Sequence, residues 1–124
     1  MKKKELMDYV GKYIELGILQ GKSTLSGDYK TGNRAANKMD KIFQISISCE
    51  NRALFYEKIL ETTQDINTII WASLHMLKLN INPEKARAGL LKIAKGGGDI
   101  PPIFATSARL TLEEWDKGNI QPII

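Results

Sequence analysis

Two side chains in this sequence are the usual first candidates for acid–base or covalent chemistry, and each type occurs once. His75 is the only histidine and Cys49 the only cysteine. A lone histidine cannot build a multi-histidine metal site, and a lone cysteine allows neither a cysteine-based zinc site nor an intrachain disulfide. The two could form a reactive thiolate pair only if the fold brought them together. We therefore expect no enzyme activity and no cofactor, and we interpret His75 as a half-buried packing residue.

Three glycine-containing segments imitate phosphate-binding loops. Residues 17–23 end in Gly-Lys-Ser, but three residues separate the two glycines where the motif needs four. Gly27 and Gly32 have the correct separation, but an Asn-Arg pair follows in place of the Lys and Ser or Thr that bind phosphate and magnesium. Residues 96–98 follow a predicted helix, which excludes a dinucleotide-binding turn after a strand. The sequence therefore predicts no nucleotide site.

Charged side chains instead form surfaces on predicted helices. The exposed side of the second helix carries Lys30, Asn33, Arg34, Asn37, Lys38 and Lys41. A similar outer face on the fifth helix carries Lys85, Lys92 and Lys95. Such faces suit an acidic protein or phosphates, although solvation alone also explains them. No exposed aromatic residue is clearly interleaved with them, which counts against stacking on single-stranded nucleic acid.

An acidic cluster lies on the predicted sixth helix, close to its end. It consists of Glu113, Glu114 and Asp116. Carboxylates near a helix C-terminus oppose the helix dipole, at a cost of a few tenths of a kcal/mol. The cluster could receive a cation or a basic partner, but a solvated face is the simpler interpretation.

These surfaces need a core to position them, and one segment supplies its centre. In residues 65–79 a helical stripe is formed by Ile66, Ile70, Leu74 and Leu77, with Ile69, Trp71 and Met76 beside it. A helix this apolar, yet too short to span a bilayer, is normally buried on several sides. Asp65 is placed to cap its N-terminus.

Five further helices are predicted around this segment. Four of them cover about residues 3–25, 29–47, 50–60 and 83–95. The sixth follows Asp99, has Pro101 and Pro102 in its first turn and ends near Lys117. On the first helix the apolar side carries Met7, Val10, Ile14, Ile18 and Leu25, and also Gly11, Gly17 and Gly21. Each glycine inside a helix costs roughly 1 kcal/mol relative to alanine, so three on one side predict a close approach of another helix. The alternative is that the helix ends near Gly21.

Other residues are assigned from the same patterns. The second helix should bury Ala35, Ala36, Met39, Ile42, Phe43 and Ser46, and the third Leu54, Phe55 and Ile59. Asn82 and Asp99 are predicted N-caps of the last two helices, with Pro83 at a first helical position. Gly118 should end the sixth helix. Residues 119–124 are predicted to form an extended tail against the body.

Length and composition limit the class of protein. The 124 residues fit a single domain, 1–124, and the net charge of +4 is only mildly basic. No segment reaches the ~20 apolar residues of a membrane helix, and acidic residues interrupt any signal peptide at the N-terminus. Together with the cysteine usage, these features favour a cytoplasmic protein.

The helix pattern predicts an all-α fold built from helix pairs. Helices three and four, and again five and six, form two such pairs, and a shift of 36 residues aligns Leu54-Phe55 with Leu90-Leu91. That spacing is close to the period of helical solenoids, which stack because one unit cannot bury its apolar face alone. We expect an α-α superhelix, with a compact six-helix bundle as the alternative.

The segment GDYKTGNRAANKMDKIF, with LGILQGKSTLS before it and SARLTLEEWDKGNI near the end, resembles a group of small bacterial proteins that form a domain family of unknown function. The visible marks of the likeness are Gly27, Asp28, Tyr29, Asn33 and the segment 115–118. The resemblance implies a HEAT- or armadillo-like superhelix and, from the toxin genes beside several relatives, an immunity role. It implies no catalytic residues.

The first functional hypothesis is therefore a protein-binding module, and most specifically an immunity protein that neutralises a cognate toxin. Its candidate contacts are Lys30, Asn33, Arg34, Asn37, Lys38 and Lys41, with Trp115 if that side chain is exposed. The alternative is a nucleic-acid-binding helical repeat protein that uses the two basic helix faces. No membrane partner is expected.

Overall fold

A computed structural model of the protein describes residues 5–124, and every regular element within them is helical. A short 3₁₀ helix, Leu6–Tyr9, precedes α1 (Val10–Ser26), α2 (Tyr29–Ile47), α3 (Arg52–Thr62), α4 (Ile66–Lys78), α5 (Pro83–Ala94) and α6 (Pro102–Asp116). The predicted all-α class with six helices is confirmed. None of the helices in the described part of the chain is both long and apolar enough to span a membrane.

The chain divides into two compact units, and the boundary lies between Thr68 and Ile69, inside α4. The first unit contains the 3₁₀ helix, α1 to α3 and the first turn of α4. The second contains the rest of α4, α5, α6 and the C-terminal tail. Whether the chain acts as one domain, and whether its helix pairs form a superhelix, both stay predictions.

In the first unit, α2 agrees with its prediction in both extent and orientation. It begins after Asp28, whose carboxylate accepts a hydrogen bond from the backbone amide of Thr31 at 3.3 Å and so caps the helix. Its buried residues are Gly32, Ala35, Met39, Ile42, Phe43 and Ser46, while Ala36 is half-buried. This spacing leaves the opposite side of α2 to solvent.

The first helix differs from its prediction. Residue 3, where the helix is predicted to begin, lies outside the described residues, and the 3₁₀ helix replaces its first described turn. The buried residues of α1 are Tyr13, Leu16, Gly17, Gly21 and Ser23. Leu25 is exposed, and the other apolar residues of the predicted side are only half-buried: Met7, Val10, Ile14 and Ile18. The predicted side is wrong because α1 packs against α2 on one side and against the first turn of α4 on the other.

Two of the three glycines of α1 mark that close approach. A Cβ atom added at Gly17 would lie 2.9 Å from the Cβ of Thr68 and 3.1 Å from its Cα. A Cβ at Gly21 would lie 2.8 Å from the Cβ of Asn67. The side-chain amide of Asn67 donates to the backbone carbonyl of Gly17 at 2.8 Å and to Oε1 of Gln20 at 2.7 Å. The predicted close approach is confirmed at these positions and wrong at Gly11, which is exposed and open.

Three aromatic rings form the centre of the first unit. Tyr13 meets the rings of Phe55 and Tyr56 edge-on, each with a centroid separation of 5.9 Å. The hydroxyl of Ser46 donates to the carbonyl of Phe43 at 2.6 Å, so the hydroxyl of Tyr56, 3.0 Å away, donates to Ser46. The sequence analysis missed Tyr56 as a core residue.

The inward position predicted for Leu54 is wrong, because its side chain is 60% exposed. The helix turns Phe55, Tyr56 and Ile59 into the core instead. Leu54 falls on the side of α3 opposite to Tyr56 and Ile59, as the helical repeat requires.

In the segment predicted to be the centre of the core, Ile70 and Leu77 of the predicted stripe are buried, whereas Ile66 and Leu74 are only half-buried. No residue from 66 to 79 is exposed, and the polar Asn67, Thr68, Ser73 and His75 are buried among the apolar ones. Asp65 caps α4 as predicted, because its Oδ2 accepts from the amide of Thr68 at 2.9 Å and from its hydroxyl at 2.7 Å.

In the second unit, α5 and α6 pack together as a helix pair. Pro83 stands at the first position of α5 as predicted, but Asn82 adopts φ = 39° and its side chain makes no capping hydrogen bond. Asp99 does not cap α6 either, since two prolines delay its start until Pro102. The tail lies against α4, where the amide of Ile123 donates to the carbonyl of Lys78 at 2.8 Å.

Candidate partner-binding surface

The exposed side of α2 presents the residues that sequence reasoning selected. We call them the basic surface: Lys30, Asn33, Arg34, Asn37, Lys38 and Lys41, all of which are exposed. They lie there because the core side of α2 is fixed by large apolar residues, so that the remaining positions face water. All six residues of the basic surface therefore lie on one helix, whose opposite side is buried from Gly32 to Ser46.

The four cations of the basic surface form no salt bridge with any carboxylate in residues 5–124. Two carboxylates lie close to these cations in the sequence: the exposed Asp40 is adjacent to Lys41, and Asp28 stands at the start of α2. There the hydrogen bonds from Thr31 hold the pKa of Asp28 below its usual range, with a smaller contribution from the charge of Arg34. The four cations are thus exposed to solvent and form no ion pair within the described residues.

A groove adjoins the basic surface where the end of α2 runs beside the start of α1. We call it the lysine-rimmed groove; it has a volume of about 370 Å³ and is lined by Tyr9, Lys12, Leu16, Lys38, Lys41, Ile42 and Ile45. Leu16 and Ile42 are buried core residues that form its floor, whereas Ile45 remains 41% exposed. The arrangement combines an apolar floor with three ammonium groups at the rim.

Sequence reasoning named two of the groove residues, Lys38 and Lys41, as candidate contacts and assigned Ile42 to the core, but it missed the groove itself. The signal available was Ile45, an apolar residue on the otherwise polar side of α2, one turn beyond Lys41. The contribution of α1 was not foreseeable, because its predicted apolar side was wrong.

Trp115, the remaining predicted contact, lies in α6 and therefore in the second unit. Its side chain is half-buried. Trp115 is not part of the basic surface. It was predicted as a contact only if its side chain is exposed, and that condition is partly met.

The acidic cluster of α6 is engaged within its own unit. Arg87 of α5 holds Asp116 through two hydrogen bonds of 3.1 and 2.8 Å. This contact lowers the pKa of Asp116 and raises that of Arg87. Glu113 lies 4.0 Å from Arg109, and Glu114 accepts from the side chain of Asn119 at 2.8 Å. The cluster is thus better explained by these contacts than by a waiting cation.

The second unit has a groove of its own beside these pairs. It has a volume of about 310 Å³ and is lined by Arg87, Leu91, Ala94, Lys95, Arg109, Leu112, Glu113 and Asp116. Its cations and carboxylates face one another, in contrast to the rim of the lysine-rimmed groove. The other lysines predicted on the α5 face, Lys85 and Lys92, are exposed together with Lys95.

His75 is more deeply buried than predicted. It is 2% exposed, and its ring centroid lies 5.7 Å from that of Trp71. Burial, with a smaller contribution from the charge of Lys78, lowers the pKa of His75 to about 3, so the ring is neutral at pH 7. Half-burial was the wrong expectation, because the ring lies on the buried side of α4 with Ala72 and Met76.

Cys49 is half-buried, with its Sγ 3.3 Å from the carbonyl oxygen of Ile45. Among residues 5–124, no group of three or more His, Cys, Asp or Glu side chains is arranged to hold a metal ion.

Comparison of the chain with protein families, with curated proteins and with solved structures finds no significant match. The family resemblance inferred from the sequence motifs stays a prediction.

Proposed function

We propose that the protein is a protein-binding module that engages an acidic partner through the basic surface of α2. The observation that supports it is the set of four exposed cations without a carboxylate partner in the described residues, next to a groove with an apolar floor. Charge of one sign steers and orients an oppositely charged partner, and apolar contacts slow its dissociation.

The most specific form of the proposal is an immunity protein that neutralises a cognate bacterial toxin. Its support is the resemblance of the sequence motifs, together with a surface suited to sequestering another protein. Because the chain has one cysteine and no disulfide, we expect it to act in the reducing cytoplasm. In such a module a few anchoring residues carry most of the affinity.

The test is co-expression of the protein with the product of the gene adjacent to its own, followed by a pull-down at moderate salt. We expect the neighbour to be retained and its toxicity suppressed. The double substitution Lys30→Glu with Arg34→Glu should weaken retention by about tenfold or more, because it reverses two charges that face the partner. A neighbour that is neither toxic nor retained would remove the proposal.

A matched control uses two exposed lysines of the same unit that lie outside the basic surface and the groove. Lys22→Glu with Lys58→Glu changes the net charge by the same amount and should leave retention unchanged. If both double variants lose the partner equally, the effect belongs to net charge and not to the basic surface. Circular dichroism of each variant checks that the helices are intact.

A nucleic-acid-binding helical protein is the second candidate, favoured by the exposed lysines on both α2 and α5. Binding of this kind weakens steeply with salt, because each neutralised phosphate releases counterions. Titration of an RNA duplex and a DNA duplex at low salt distinguishes it from the first. The apolar floor of the groove argues for protein, since phosphate recognition does not use one.

A further inference from the structure

The lysine-rimmed groove continues an apolar stripe that the core leaves partly uncovered. On α1 the buried Leu16 is followed three residues later by Leu19, which is 42% exposed. On α2 the buried Ile42 is followed by Ile45, which is similarly exposed. The i, i+3 spacing keeps each pair on neighbouring parts of one helix face. Large aliphatic side chains thus extend from the core to the surface on both helices.

The charge at this groove has one sign. Lys12, Lys38 and Lys41 lie at its rim, and no carboxylate is among the residues that line it. Lys12 lies 3.6 Å from Glu15, but both are well exposed, and such a pair contributes little. Lys38 and Lys41 have no ion-pair partner in the described residues. An occupant with carboxylates beside an apolar face would complement both properties.

We infer that the lysine-rimmed groove receives an acidic amphipathic α-helix of the partner protein, with aliphatic residues against Leu16, Ile42 and Ile45 and carboxylates against the three lysines. This inference rests on the proposed function and specifies its partner. It uses the helix-in-groove mode of recognition, in which anchors at i, i+3, i+4 and i+7 share one face. Addition of a strand is not available here, because residues 5–124 contain no sheet edge.

The size of the groove agrees with such an occupant. At about 370 Å³ it is near the lower end of the range for ligand sites, so it accommodates a few side chains and not a folded domain. A helix satisfies its own backbone hydrogen bonds, so only side chains need to enter. The two lysines of α2 lie three residues apart and therefore meet carboxylates that are themselves one helical turn apart.

The test uses a designed probe, since the natural partner is unidentified. A fluorescently labelled helical peptide of about five turns carries leucines at i, i+3, i+4 and i+7 with glutamates flanking them. Its matched counterpart has lysine in place of every glutamate. Anisotropy titration of the whole chain should give at least about tenfold tighter binding of the acidic peptide, and the difference should shrink at high salt. Equal binding of the two peptides would overturn the inference.

Variants locate the contact. Lys38→Glu with Lys41→Glu should weaken the acidic peptide by about tenfold or more, and should favour the basic peptide instead. Ile45→Gln should weaken both peptides, because it removes an apolar contact without changing charge. Lys22→Glu with Lys58→Glu is the control and should change neither. An unchanged affinity in the Lys38/Lys41 variant would contradict the inference.

The two proposals fail in different ways. If the neighbouring gene product is retained equally by the wild type and by the Lys38/Lys41 variant, the groove assignment is wrong and the binding function stands. If nothing is retained, the proposed function is wrong, while the peptide titration still decides what the groove can hold. Nuclear magnetic resonance shift changes confined to the groove residues would support the assignment directly.

Discussion

At the scale of single residues, burial determines what His75 can do. Its pKa of about 3 in the folded protein lies below the value of about 6.5 expected for an unfolded chain. The folded state therefore binds fewer protons, and protonation favours unfolding. A histidine in this state fills space and cannot act as a proton carrier near neutral pH.

The first prediction follows from this difference. The stability associated with neutral His75 is fully present above about pH 6.5 and is lost as pH falls toward 3, at up to about 1.4 kcal/mol per pH unit. Urea unfolding at a series of pH values measures this slope. The variant His75→Gln lacks the titrating group and should show a slope smaller by about one proton. Equal slopes in the two proteins would contradict the burial described here.

Also at this scale, the exposure of the charged residues on α2 was predicted correctly, whereas the groove beside them was not predicted. Lys30, Arg34 and Lys41 are exposed because the buried apolar residues of α2 lie on the opposite side of the helix. Ile45 was missed because its role depends on Leu16 of another helix. The spacing of apolar residues along one helix identifies its solvent-exposed side. A groove, however, depends on how two helices pack side by side.

At the scale of elements, the packing of α1 shows where pattern reasoning is weakest. Its apolar residues suggested one side, yet Gly17 and Gly21 face the first turn of α4 and rotate the buried side toward Tyr13. A close approach at a glycine involves no apolar side chain, so the apolar pattern of the sequence cannot predict it. The glycine spacing was the only signal, and it was correct at two positions of three.

The second prediction compares two glycines of that helix. Gly17→Ala should destabilise the protein by about 1–3 kcal/mol, because the added methyl group meets both the side chain and the backbone of Thr68. Gly11→Ala meets no atom within 4 Å and should leave stability unchanged or raise it by up to about 1 kcal/mol. Thermal and urea unfolding measure both. Similar losses in the two variants would show that Gly17 is not tightly packed.

The predicted N-caps of the helices are correct at some positions and wrong at others, and the backbone conformation near each cap explains the difference. Asp65 and Asp28 cap their helices as short polar residues in the right place do. Asn82 stands in the same kind of position but adopts a left-handed conformation, and its side chain makes no capping hydrogen bond. The prolines at 101 and 102 fix the start of α6, which takes that role from Asp99.

At the scale of the whole molecule, the buried aromatic hydroxyls set an upper pH limit on stability. Burial raises the pKa of Tyr13, and the proximity of Tyr56 raises it further. Burial also raises the pKa of Tyr56. Both phenols are thus held in the neutral form by the fold.

The third prediction is a stability plateau bounded by these groups. Because the folded pKa values of both tyrosines are raised, their contribution is complete below about pH 10 and is lost as pH rises further. Together with His75, this gives the highest stability between about pH 7 and 10. Unfolding midpoints and tyrosinate absorbance, recorded over the same pH range, test it. Ionisation of all four tyrosines without loss of helix signal would contradict it.

The side-chain amide of Asn67 donates to two oxygen acceptors, and this arrangement makes the contact sensitive to deamidation. Both Gly17 O and Gln20 Oε1 accept from the same nitrogen, so that nitrogen cannot be exchanged for oxygen without reversing the polarity of the contact. Deamidation yields an aspartate of the same shape. Its carboxylate oxygen would then face the two oxygen acceptors and repel them. Deamidation of Asn67 would therefore remove both hydrogen bonds that its side chain donates between α1 and the start of α4.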